Sequence, residues 1–147
     1  MLGVTESAGS YEDFRDRALG LISTLENWGV RVSPYGRLRE YAKQLSWFCD
    51  ALQYGKRGLN LERIHRALLE VADLSLIVER LGNDPSTGFM DILAKSMSGG
   101  ITHDDEKRQS PARDAQFELL LAAFFHRAGY AVELAEPDVQ VQTPHLT

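Results

Sequence analysis

The chain has a single cysteine, Cys49, in 147 residues. One thiol allows neither a disulfide within the chain nor a cysteine-based zinc site. Cys49 sits in a helical pattern with Leu45, Phe48 and Leu52, which marks it as a small core residue. No apolar run reaches the roughly 18 residues that a membrane-spanning helix needs. No basic-then-apolar leader opens the sequence, so no membrane partner and a cytoplasmic setting are expected. The four histidines, His65, His103, His126 and His145, include no pair at metal-binding i, i+4 spacing and stand beside no plausible Ser or Cys nucleophile. No internal repeat is visible.

What is present is an ordinary globular composition, 44% hydrophobic and 25% charged, long enough for one domain with a real core. The net charge of −5 speaks against a protein that coats nucleic acid along its whole surface. That total conceals a segregation. Residues 35–66 hold seven Lys/Arg against three Asp/Glu, and residues 67–147 hold six against thirteen. A basic middle and an acidic tail suit a phosphate-facing surface beside an acidic metal site. Solvated helix faces produce the same pattern.

Hydrophobic periodicity predicts four helices before residue 98. Ser10 caps the first, Glu12 and Asp13 suit its positive end, and Phe14, Ala18, Leu21, Ile22, Leu25 and Trp28 share a face up to the stop at Gly29. The second is expected over about Tyr35–Leu52, with Leu38, Tyr41, Ala42, Leu45, Phe48 and Leu52 as its stripe, ended by a turn at Gly55-Lys-Arg-Gly58. Asn60 caps the third and longest, which runs to Gly82. A shorter fourth is expected over Phe89–Met97. Residues 99–109 are polar, charged and without period, and read as a linker. The expected organisation is a helical region over 1–98, the linker, and an α-β-β segment over 110–147; the fold class is mostly α, or α+β.

In the last segment Ser110-Pro111 is a strong helix start. Phe117, Leu120, Leu121, Phe124 and Ala128 are expected to form its buried stripe, ending at Gly129. Tyr130, Val132 and Leu134 then alternate with Ala131 and Glu133 as a half-buried strand does. Ala135-Glu136-Pro137 fits a turn, and Val139 and Val141 mark a second strand. Glu118 falls at the edge of the helical stripe and Asp138 at the start of the second strand. Two such carboxylates can hold a hard divalent cation through oxygen, which would polarise a phosphodiester and lower the pKa of bound water. The other reading makes both simple boundary residues.

The run Ala112-Arg-Asp-Ala-Gln-Phe-Glu-Leu-Leu-Leu-Ala-Ala through Arg127-Ala-Gly129, followed by Leu134-Ala-Glu-Pro-Asp-Val139, resembles the opening of the restriction-endonuclease-like, or PD-(D/E)XK, nuclease fold. It is most similar to a group of bacterial proteins with a helical N-terminal region before a small nuclease-like core. The resemblance is strong over residues 110–141 and looser before them. It implies a Mg²⁺-dependent DNA endonuclease ancestry, with Asp138 as metal ligand and Glu118 assisting. It also implies a following strand with an acid-x-Lys motif, whose lysine orients or activates the attacking water.

That motif does not follow Val141. Asp105-Glu106-Lys107 matches it in letters but precedes the helix, and reads as charged linker. The expectation is therefore a nuclease-like protein without turnover as the chain stands. The alternative is a non-catalytic helical module for protein or nucleic-acid interaction or for dimerisation. Two strands alone are marginal and leave open edges. Either the chain is cut before the rest of a core, or a homodimer completes the sheet across a strand edge. For DNA, Arg37, Arg39, Lys43, Lys56 and Arg57 are the candidate phosphate contacts, with Arg63 and Arg66 nearby and Trp47 and Tyr54 placed to stack on bases.

Overall fold

The computed structural model describes residues 10–55, 60–82, 87–97, 111–134 and 139–142. Five helices and one strand pair appear in chain order: α1 Tyr11–Asn27, α2 Arg37–Tyr54, α3 Leu61–Leu81, α4 Thr87–Ser96, α5 Pro111–Arg127, β1 Ala131–Leu134 and β2 Val139–Gln142. The fold is mostly α.

Local chemistry sets most boundaries. Ser10 and Asp13 form a reciprocal capping box at the start of α1, satisfying two backbone donors that the helix cannot. Gly29 ends α1 with φ +82°, a backbone region that costs residues with a β-carbon. Asn60 accepts from the Arg63 amide at the start of α3. Helix α2 begins two residues later than expected, because the Gly36 amide donates to the Ser33 carbonyl in a preceding turn. Helix α4 begins two residues earlier, at Thr87. The expected cap Ser110, the linker and the Asp105-Glu106-Lys107 stretch lie outside the described residues.

Helices α1, α2 and α3 pack on one another, and α5 packs on α3 and α4. Their shared core runs from Ala18, Leu21 and Leu25 through Leu38, Leu45, Val71 and Ile77 to Phe89, Leu93 and Leu119. Removing a residue such as Leu45 from water contributes about 1.5–3 kcal/mol. Trp28, at the end of α1, meets Phe89 of α4 edge-on at 6.2 Å. Val30 and Val32, in the segment between α1 and α2, are buried. Cys49 is buried as expected. Leu52 is 55% exposed, contrary to its expected place in the stripe, because the last turn of α2 runs past the core.

The largest correction concerns α5. Its buried residues are Ala112, Ala115, Gln116, Leu119, Ala122 and Ala123. Phe117, Leu121, Phe124 and Phe125 are 60%, 38%, 48% and 40% exposed. The inner face is the small one: alanines let α3 and α4 approach, and the bulky side chains turn outward. Only Leu120 of the expected stripe packs against the core.

β1 and β2 pair antiparallel, with Ala131 opposite Gln142, Val132 opposite Val141, Glu133 opposite Gln140 and Leu134 opposite Val139. Val132 and Leu134 are half-buried, while Ala131 and Glu133 are exposed, the expected alternation. Leu134 packs against the helical core. A β-carbon on Gly88 would overlap the Leu134 carbonyl oxygen, so the start of α4 and the end of β1 touch backbone to backbone.

Candidate functional site

The residues nominated from sequence fall in different places. Asp138, Lys56 and Arg57 lie outside the described residues. Glu118 is half-buried on α5, seven residues before Phe125 and therefore on nearly the same flank. Phe125 meets Tyr130, at the entrance to β1, edge-on at 5.9 Å. Glu118 thus stands on the flank of α5 that leads to the strand pair. Among the described residues no group of three or more His, Cys, Asp and Glu side chains comes together in a way that could hold a metal ion.

Arg39 pairs with Glu26 and also reaches the Val32 carbonyl at 3.4 Å, tying α2 back to α1 and the segment after it. Arg37 turns inward. It is 5% exposed, and its Nη2 donates to the Ser96 carbonyl at 2.8 Å and to Gln116 Oε1 at 3.0 Å. The Gln116 amide nitrogen in turn donates to Glu70. One chain of polar contacts therefore joins α2, α3, α4 and α5.

Tyr41 and Arg113 belong to the same environment. Burial pushes the Tyr41 phenol up to about 12, with the charge of Glu70 adding to it and those of Arg37, Arg113 and Arg66 opposing it. The Tyr41 hydroxyl, Arg37 Nε and Nη1, and Arg113 Nε are buried without a hydrogen-bond partner among the described residues. Buried groups of this kind specify how helices meet more than they add stability. Asp73, one turn along α3 from Glu70, has its carboxyl raised, first by burial and then by the Glu70 charge. Sequence reasoning missed this cluster. Arg37 reads as a phosphate contact and Gln116 as one more polar position when spacing is the only guide.

Lys43 does face outward. With Glu40, Gln44 and Trp47 it forms one ridge of α2 at i, i+3, i+4 and i+7 spacing. Asn60, Arg63 and Ile64 of α3 face that ridge across a groove of about 380 Å³. Trp47 is 42% exposed there, and Tyr54, farther along α2, is 69% exposed. Of the expected aromatic and basic side chains, Lys43, Trp47, Tyr54 and Arg63 are at the surface, and Lys43, Trp47 and Arg63 line a common concavity.

The chain matches no family model, no curated protein and no solved structure. No helix among the described residues is long and apolar enough to cross a membrane.

Proposed function

We propose that this chain is a cytoplasmic PD-(D/E)XK nuclease-like protein, acting on DNA in its lineage and without turnover as it stands. The observation that carries the reading is the two-sided α5. A helix with apolar residues on two opposite faces suits a place between two layers. Its alanine face meets the bundle, and its Phe117–Phe124 face is left for a second layer. The helix leads directly into a strand pair whose outer edges pair with no other described strand. A sheet extended from either edge would provide such a layer.

In this reading Glu118 and Asp138 hold Mg²⁺. Both offer the hard oxygen donors that the ion prefers, and the flank position of Glu118 suits a ligand at the rim of a sheet. The bound ion would supply charge stabilisation at a phosphodiester. Turnover needs the lysine of an acid-x-Lys motif as well. The test is thermal denaturation with and without millimolar Mg²⁺. A rise in Tm that disappears in both Asp138→Asn and Glu118→Gln is expected, with no cleavage of plasmid DNA. No rise in the wild-type chain would sink the metal assignment.

The same exposed face favours a second reading, a non-catalytic module in which another copy of the chain covers α5 and pairs across a strand edge. Light scattering separates the two. A mass of two chains that falls to one in Phe117→Ser/Phe124→Ser supports the dimer, and a mass of one chain at all concentrations removes it.

A further inference from the structure

The groove between α2 and the start of α3 is separate from the α5 flank, and its chemistry points to a ligand of its own. Its apolar lining is the exposed indole of Trp47 and the buried side chain of Ile64. Its rim is polar and carries Lys43, Arg63, Gln44, Asn60 and Glu40. Among the described residues Glu40 is the one acid on that rim, and its carboxylate accepts from the Gln44 amide at 3.3 Å. Neither Lys43 nor Arg63 takes part in an ion pair found among the described residues. Among the described residues, the two cations against one acid leave the rim with an excess of one positive charge. The amino end of α3, a 21-residue helix, opens at the same place and adds partial positive charge. A volume of about 380 Å³ lies within the range of small-ligand sites, about 300–1,000 Å³.

We propose that this groove binds a nucleotide, with the base stacked on Trp47 and the phosphate held between Lys43 and Arg63 at the start of α3. A flat ring suits the indole, which offers a π-face to any base. The anionic group meets two side-chain cations and a helix terminus. The Glu40–Gln44 pair lies beside the stacked ring, where it can meet the polar edge of the base. Either a free mononucleotide or one residue of a single strand satisfies this chemistry. The proposal uses neither Asp138 nor a metal, so it stands or falls apart from the nuclease-like reading.

The test is fluorescence anisotropy of a labelled oligothymidylate of about 12 nucleotides on the full chain, in EDTA and at about 50 mM salt. Unlabelled thymidine monophosphate and a duplex of the same length serve as competitors. Trp47→Ala is expected to weaken binding by about 5- to 150-fold, the usual worth of one base–aromatic stack. Lys43→Glu/Arg63→Glu is expected to weaken it and to lower the slope of log affinity against log salt by about 1.4, from two lost phosphate contacts. Both sites are at the surface, and circular dichroism is the check that the variants fold. Competition by the monophosphate at concentrations comparable to the oligomer assigns the groove to free nucleotide. Oligomer binding tighter by tenfold or more assigns it to single strands. Equal competition by duplex, whose bases are already stacked, overturns the proposal. So does an absence of binding, or an affinity unchanged by Trp47→Ala.

Discussion

The side of the molecule built from α1, α2 and α3 and the side built from α5 and the strand pair bury their apolar residues by opposite rules. In the first, the core is built from large side chains, although Leu19, Leu52, Leu61 and Leu69 are 47%, 55%, 66% and 54% exposed. Leu25, Leu38, Leu45 and Val71 are all within 2% of complete burial, and the helices carry charge on their outer faces. On α5 the small residues point inward, and Phe117, Leu121, Phe124 and Phe125 point out. The first arrangement keeps a core of large side chains and leaves apolar side chains exposed at separate places on three helices. The second has satisfied one neighbour and still presents the surface for another, which is why the functional reading rests there.

The sharpest way to break this comparison is to truncate one side chain from each face. Leu45→Ala should cost about 2–5 kcal/mol in chemical denaturation, the usual penalty for emptying a core leucine site. Phe124→Ser should cost less than about 0.5 kcal/mol in the monomeric chain, as surface changes do. Comparable losses at the two positions would mean that the outer face of α5 is already covered.

Two smaller perturbations test how α5 and the strands are attached. Gln116→Leu removes the bridge from Arg37 to Glu70, leaving a buried guanidinium and a carboxylate short of partners. A loss of about 1.5–3 kcal/mol is expected, read by urea denaturation. Gly88→Ala forces a β-carbon toward the Leu134 carbonyl, at a cost of about 1–3 kcal/mol. Faster amide exchange in β1, with unchanged protection in α2, would locate that cost at the strand pair. Uniform loss of protection would show that the strands and the bundle open together.

The smallest effect concerns charge. The Asp73 carboxyl is raised by burial and by Glu70. The folded state therefore holds that proton more tightly than the unfolded chain does. Its favourable contribution is complete below the ordinary aspartate range and is lost as pH rises through the raised value. Asp73→Asn should stabilise the protein by about 0.5 kcal/mol at neutral pH, in line with relief of like-charge crowding along a helix. That advantage should vanish on acidification, when the wild-type group is itself neutral. Thermal melts across the acid range would show it, and an advantage persisting at low pH would contradict the assignment.

The sequence disclosed the elements better than their facing. Ser10, Asn60, Gly29 and Gly129 act through local backbone chemistry, so the starts and stops they mark need no knowledge of the rest of the chain. The strand alternation at Val132 and Leu134 was legible for the same reason. The orientation of α5 was not. Helical spacing draws a stripe through Phe117, Leu120, Leu121 and Phe124, whereas the closeness of α3 and α4 selects the alanine face. Arg37 and Gln116 were hidden by a related limit. A polar residue on a helix looks solvated unless its partners are known, and Glu70 and Ser96 are far away along the chain. Lys43 and Trp47 could be nominated as surface residues, but only the packing of α2 on α3 brings Arg63 to the same groove.

The edge-on contact of Trp28 with Phe89 gives the protein a built-in optical reporter. Trp28 ends α1, touches α4, and lies so near Gly82, at the end of α3, that a β-carbon there would collide with it. Its emission depends on three helix ends arriving together. Trp47, the only other tryptophan, is 42% exposed on α2 and emits from water. A change in Trp28 emission is therefore the expected sign of α4 leaving the earlier helices, and a change in Trp47 emission that of an event at the surface of α2.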